Sequence, residues 1–314
     1  MDKKRHSMFT HTARWLGFLI ALAVSTARPV VVHAEKATQV YIITSPGSNY
    51  QTRVANTLVQ KLSTSGIDSA NIPTSALESL TPDDNAVFIT FGGSTSATVR
   101  QHYGGNAQLN IAYNSDHIKQ PNDHNHSVLT LTQPACRQVL FIRKLAPGWK
   151  SAAIITSKTS SKQIDAIRQC ARQYGLTLRT YHAGDEKELL KRLVEAVEQN
   201  DVLLALVDVV VYNSRSIKNI LLTAYRHRKP VIGYSNSLVD AGAVAAIYTS
   251  AEDAGMQAAE IIQEYFSAQR RFSRRIYTPS GFSVSINRQV ARALDTELDE
   301  NTEFSNDPDL LEIH

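Results

Sequence analysis

Cysteine is scarce in this chain. Two residues in 314, Cys136 and Cys170, cannot build a disulfide-dense scaffold. Long apolar runs are missing as well. The most extended, residues 15–24, is about ten residues against the ~20 that a membrane span needs. A surplus of one charge is missing where it would matter. Lys and Arg total 33 against 29 Asp and Glu, but Lys3, Lys4, Arg5, Arg14 and Arg28 against Asp2 account for the whole difference. Beyond residue 34 the two signs balance, 28 against 28, so the electrostatic argument for nucleic acid is lost. Enzyme signatures are absent too. There is no G-x-S-x-G elbow, no G-x-x-x-x-G-K-[ST] phosphate loop and no H-E-x-x-H zinc helix. Pro46-Gly47-Ser48 and Gly92-Gly93-Ser94 lack the third glycine and the spacing of a dinucleotide fingerprint. No cofactor is expected, and no internal repeat or low-complexity tract is seen.

What remains is a globular chain with an export signal. Hydrophobic residues make up 43% and charged residues 20%, too apolar for disorder. Residues 1–34 read as a signal peptide: a basic start, the apolar run 15–24, and Val32-His33-Ala34 as a small-residue cleavage site. Arg28-Pro29 interrupts any longer apolar helix, which disfavours the competing reading of an anchor. Cleavage near Ala34 implies a periplasmic protein. Outside the cytoplasm there is no ready ATP or NAD pool, which favours binding, sensing or hydrolysis.

Short apolar runs alternate with helical periodicity. Residues 39–44, 86–91, 109–113, 152–156, 202–207, 231–233 and 244–249 read as strands. The run 202–207 has no polar alternation, as in a parallel strand buried on both faces. Between the runs, Ile164, Ile167, Ala171 and Tyr174 mark one helix face, and Leu189, Leu190, Leu193 and Val197 another. Ile217, Ile220, Leu221 and Ala224 mark a third, with Asn213 or Ser214 as N-cap. Ala254, Ala258, Ile261 and Tyr265 mark a fourth. The alternation predicts an α/β fold with parallel sheets in two lobes. The polar segment 114–126 is a surface loop or a connection between lobes. Its His117, His124 and His126, with Asp116 and Asp123, are metal-ligand types but equally ordinary residues of a solvated connection.

Several strand ends carry hydroxyl and amide residues: Ser45, Ser94 and Thr95, Asn114, Ser157, then Tyr234 and Ser235. Ligands of open parallel sheets bind beyond the carboxyl ends of the strands, where helix N-termini offer free N–H groups. Each loop alone could simply cap its helix. Five such loops, with Asp208 at a sixth strand end, come from two lobes and point to a shared cleft. Asp208 ends a fully apolar strand, where a carboxylate must be paired. It either accepts from a ligand or serves the protein itself as a cap or ion partner. For the cysteines, Cys136 near the start of one helix and Cys170 near the end of another are separated by ~15 Å of helix rise. A disulfide needs Cα atoms about 4.4–6.8 Å apart, so two free thiols are expected.

From residue 200 the order of segments resembles a known family. Asp201-Val202-Leu203-Leu204-Ala205-Leu206-Val207-Asp208, Lys229-Pro230-Val231-Ile232-Gly233-Tyr234-Ser235 and Val239-Asp240-Ala241-Gly242-Ala243 carry the likeness. Leu145-Ala146-Pro147-Gly148, Ala254-Gly255-Met256-Gln257-Ala258-Ala259 and Phe282-Ser283-Val284-Ser285-Ile286-Asn287 extend it. Together they resemble the ABC-transporter substrate-binding proteins of the tryptophan/tyrosine-binding type, over residues 127–294. The resemblance implies a type I periplasmic binding fold: two Rossmann-like lobes, three crossovers and a hinged cleft. It implies lobe 1 as residues 35–126 plus 250–272 and lobe 2 as 127–249 plus 273–295, leaving 296–314 as an acidic flexible tail. It implies no catalysis, a small polar or amino-acid-like ligand, and a membrane permease as partner. Ser94 and Thr95 would hold a ligand carboxylate, with Asp208 facing a donor. The first lobe departs from the family pattern at residues 45–50 and 124–133, so the ligand does not carry over. A periplasmic sensor signalling to a membrane partner is the alternative. A serine hydrolase using the 93–96 loop with His102 is a third reading.

Overall fold

Several central strands form here where apolar residues run on without polar alternation, because a strand covered on both faces needs no polar side. The computed structural model describes residues 39–113, 124–158, 161–299, 304 and 307–313. The expected leader, Asn114 and His117 lie outside them. Residues 37–314 form one compact unit.

The first sheet is laid down by β1 (Val40–Thr44), β2 (Ser69–Pro73), β3 (Val87–Phe91), β4 (Ala107–Ala112) and β5 (His126–Thr130). Helices α1 (Asn49–Thr64) and α2 (Gly92–His102) connect them, and the strands pair in parallel in the order β2-β1-β3-β4-β5. The chain then builds a second sheet. Its elements are α3 (Ala135–Leu145), β6 (Ser151–Thr156), α4 (Lys162–Gln173), β7 (Thr177–His182), α5 (Glu186–Gln199), β8 (Val202–Leu204), α6 (Ile217–Arg226), β9 (Val231–Gly233), α7 (Asn236–Asp240) and β10 (Ala245–Tyr248). Again all pairings are parallel, in the order β7-β6-β8-β9-β10.

The chain returns twice. Helix α8 (Ala251–Ser267) shares the first core with α1, and β11 (Ile276–Tyr277) pairs with β5. Then β12 (Ser283–Ile286) adds antiparallel to β10, followed by α9 (Arg288–Ala293) and α10 (Pro308–Leu311). Each sheet has six strands. The chain changes sheet at 131–134, 249–250 and 278–282. The expected boundaries after 126 and 272 therefore shift, since β5 and β11 belong to the first sheet. Polar His126, Ser127 and Thr130 interrupt β5, which hid a strand whose residues are all buried.

The α1–α8 contact requires a glycine. A Cβ on Gly255 would stand 2.7 Å from Thr57 Cβ and 2.9 Å from the Val54 carbonyl oxygen. Helix α8 is started by a capping box: Ser250 Oγ accepts from the Asp253 N–H, and the Asp253 carboxylate accepts from the Ser250 N–H. Helix α6 begins after Ser216; Asn213 Oδ1 accepts from the Arg215 and Ser216 N–H groups in the preceding turn.

Two expectations are corrected. Cys136 and Cys170 form a disulfide, with Cα atoms 5.0 Å apart. The ~15 Å of helix rise measures distance along one axis. It separates residues of two helices only if they lie level, and here the start of α3 packs beside the last turn of α4. The C-terminal residues are not a free tail where they are described. Phe304 stacks edge-on against Phe141 at 5.0 Å, and Leu310 is fully buried in the second core. Lys144 Nζ donates to Asp307 and to Asp309, both at 2.7 Å. The segment is acidic, but its apolar Phe304 and Leu310 and the buried Asp307 dock it. Among the described residues no helix is long and apolar enough to cross a membrane.

Candidate functional site

The ends of the strands in both sheets meet at a cavity of about 510 Å³. From the first sheet come Asn49, Tyr50 and Arg53 at the start of α1, and Tyr113 just after β4. From the second come Tyr234 and Ser235 after β9, Asn236 and Asp240 on α7, and Tyr248 at the end of β10. Thr249 and Ser250, in the second crossover, complete the wall. The Tyr113 and Tyr234 rings meet edge-to-face across the lobes at 6.2 Å, and Tyr212 packs edge-on behind Tyr234 at the same distance.

The polar groups of the cavity are positioned by neighbours. Tyr248 Oη and Ser285 Oγ are 3.0 Å apart, Ser285 Oγ donates to Asn236 Oδ1 at 2.7 Å, and Asn236 Nδ2 donates to Asp240 at 2.9 Å. Arg53 makes a two-pronged contact with Glu252, at 3.0 and 2.7 Å, on the exposed rim. Burial raises the pKa of Tyr50, with further upward pushes from Tyr113, Asp253 and Glu252. Burial also raises Tyr113 and Tyr234, the latter helped by Tyr113 and Asp208. All three phenols are therefore neutral at physiological pH and can donate as well as accept. The lining can grip a flat or apolar group between rings and satisfy a few polar atoms around it.

The residues singled out from the sequence divide. Tyr234 and Ser235 line the cavity. Asp208 is buried, and its carboxylate accepts from Ser157 N–H at 2.7 Å, Ser157 Oγ at 2.9 Å, Thr156 Oγ1 at 3.1 Å, and the N–H groups of Val210 and Val211 at 3.1 and 3.3 Å. Desolvation pushes its pKa up, but the bonds from Ser157, Val211 and Thr156 outweigh that and hold it below the ordinary carboxylate range. Asp208 thus ties the end of β6 to the turn after β8, and Ser157 is its partner there. Ser45 donates its N–H to Gln51 Oε1 at 2.6 Å and does not line this cavity. Ser94 and Thr95 lie in the first turn of α2, also outside its lining, with Ser94 exposed. His126 is buried in β5, and His124 Nδ1 lies 3.2 Å from the Phe272 carbonyl oxygen.

Sequence reasoning missed Tyr50, Tyr113 and Tyr248. The signal was present. Tyr113 and Tyr248 sit at strand ends, the same positions whose small hydroxyl residues were read as ligand groups. Tyr113 and Tyr248, unlike Tyr234, read as the closing residues of apolar strands.

Two mostly parallel sheets exchanging chain three times around such a cavity define a two-lobed solute-binding protein. Residues 121–307, more than half the chain, match the family of ABC transporter substrate binding proteins, and the chain belongs to that family. It is the solute-binding component of an ABC transporter, and the family is non-catalytic, so the hydrolase reading falls away. Solved structures agree on the fold. A substrate-binding protein with adhesive properties from Clostridium difficile, in a ligand-free, open state, is 15% identical with a TM-score of 0.65, over 85% of this chain and 98% of that one. A conserved domain protein from Vibrio cholerae is 16% identical with a TM-score of 0.60, over 84% and 96%. An ABC domain from Streptococcus pneumonia in complex with L-Trp is 15% identical with a TM-score of 0.56, over 83% and 96%. The fold is that of the type I periplasmic binding proteins, as the likeness to a ribose-transporter protein from Conexibacter woesei also indicates. Comparison with curated protein sequences gives no match.

Proposed function

We propose that this protein is exported and captures a small amino-acid-like ligand with a planar group, then presents it to a membrane permease. The carrying observation is the cavity shared by two lobes, with Tyr50 and Tyr113 on one side and Tyr234 and Tyr248 on the other. Aromatic walls suit a planar group, since edge and face contacts add to the area buried. The relative solved with L-Trp supports the same ligand class. A ligand touching both walls stabilises the closed arrangement only, so binding and closure are linked. Ser94 and Thr95, at the start of α2 after the neighbouring strand β3 and outside this lining, are the proposed holders of a ligand carboxylate that reaches beyond the tyrosines. Helix α2 begins without a side-chain cap and with no acidic residue in its first turn, so its N–H groups suit an anion.

Titration calorimetry with a panel of aromatic, aliphatic and polar amino acids tests the proposal. Binding by aromatic members, weakened about tenfold or more by Tyr234→Ala through loss of roughly 1.5–3 kcal/mol of ring burial, is the expected result. Ser94→Asp is expected to repel a carboxylate ligand while leaving the melting temperature unchanged. A panel with no binder, or binding that ignores Tyr234, would refute the assignment.

A further inference from the structure

Arg137 is the largest fully buried side chain of the described residues, and its partners lie far apart in sequence. Its Nη1 donates to Gln133 Oε1 at 2.7 Å, in the first crossover, and to the Pro279 carbonyl at 3.1 Å, in the third. Nη2 reaches the Ser280 carbonyl at 3.4 Å. Gln133 in turn donates to Thr249 Oγ1 at 2.8 Å, in the second crossover, and Thr249 donates back to the Leu131 carbonyl at 2.8 Å. One guanidinium and one amide thus join all three segments that link the lobes. The same guanidinium also faces the C-terminal segment. Nε donates to the Leu310 carbonyl at 2.7 Å, and Nη2 donates to the Ile313 carbonyl. The Phe282 ring lies 5.3 Å away on another side. Burial pushes the pKa of Arg137 down to about 10, so it stays charged at neutral pH.

We infer that the C-terminal segment around α10 is a strap on the hinge, and that Arg137 is the positioning residue through which its docking sets how freely the lobes open. The physical reason is the cost of a buried cation with unpaired donors. If α10 leaves, Nε and Nη2 lose their tail carbonyls and water enters in their place. The guanidinium is then hydrated from that side and free to turn toward solvent, which loosens its bonds to Gln133 and Pro279. Docked, the tail completes the shell and fixes the crossovers. The device can be released from the outside. The tail's anchors on α3 are Lys144 with Asp307 and Asp309, at the protein's edge, with Phe304 and Leu310 beneath.

The inference rests on the reading of two lobes that close over a ligand, and its test needs no ligand. Fluorescent dyes at Gln60→Cys on α1 and Lys191→Cys on α5 report the interlobe distance in the full-length apo protein, with the native disulfide intact. Asp307→Ala combined with Asp309→Ala, and separately Leu310→Asp, release the tail. Loss of amide-exchange protection at 310–313 verifies release. Both variants, and Arg137→Gln, are expected to shift and broaden the distance distribution at temperatures well below unfolding. Combining Arg137→Gln with Leu310→Asp is expected to add nothing further, because both act through one link. Arg137→Lys keeps the charge without the fork and is expected to fail to restore the wild-type distribution. A tail that is released while the distribution stays as in the wild type overturns the strap, as does full additivity of the two changes. Calorimetry with L-tryptophan separates the two ideas. Binding with an unmoved distribution in the tail variants sinks the strap alone, and a moved distribution without binding sinks the ligand assignment alone.

Discussion

Removing the Cys136–Cys170 bridge should loosen the second lobe by a calculable amount. The bridge closes a loop with a sequence separation of 34, running from α3 through β6 to α4. Loop-closure entropy for a ring of that size corresponds to about 4 kcal/mol taken from the unfolded state. A shift of the order of 10 °C in Tm follows for a chain of this size. The perturbation is the double variant Cys136→Ala with Cys170→Ala, compared with wild type and with wild type under reductant. Alanine also gives up some buried sulfur contact, roughly 1 kcal/mol per site. The reductant arm separates that packing loss from the cross-link. Calorimetry is the assay, alongside intact mass after alkylation without reduction. Two alkylated thiols in the oxidised protein, or a reduced wild type that melts with the oxidised one, would refute the cross-link and the adjacency of α3 and α4 behind it.

Other perturbations address single contacts. Asp208→Asn turns one acceptor oxygen into a donor facing Ser157, and should cost about 2–4 kcal/mol at neutral pH by urea titration. Because the folded-state pKa of Asp208 is depressed, its contribution is full above the unfolded value of ~3.9 and is lost as pH falls through the lower folded value. The gap between wild type and variant should therefore shrink below about pH 4, and a pH-independent gap would contradict the charged hub. Gly255→Ala gains ~1 kcal/mol of helix propensity but drives a methyl into Thr57 and the Val54 carbonyl, so a net loss of about 1–2 kcal/mol is expected. Tyr212→Phe removes a buried hydroxyl with no partner among the described residues, and should leave stability within about 1 kcal/mol of wild type.

The outline of the site was legible in the residue order because strand ends in a parallel sheet converge whatever the side chains are. Tyr234 and Ser235 follow from that rule, and the family resemblance points to the same loop. Asp208 reads from the sequence as a carboxylate needing partners, but the choice between ligand and protein depends on Thr156 and Ser157, which only β6 lying beside β8 brings to it. Tyr113 and Tyr248 escape the rule because a strand-end tyrosine reads equally well as core, and which side it faces is set by the partner lobe.

By itself the sequence determined the local elements and the class. Periodicity and apolar runs depend on neighbours within a turn or a strand, so they place α3, α4, β6 and β8 without knowledge of the fold. Only the tertiary structure decided which elements touch. The short segment β5 joins the first sheet through backbone bonds to β4, despite its polar residues. Cys136 meets Cys170 because two helices pack with one start beside the other's end. An acidic-looking terminus docks because Lys144, Phe141 and the buried Arg137 stand ready in α3. Each of these outcomes depends on groups far apart in sequence, and such distances are not carried by any local pattern.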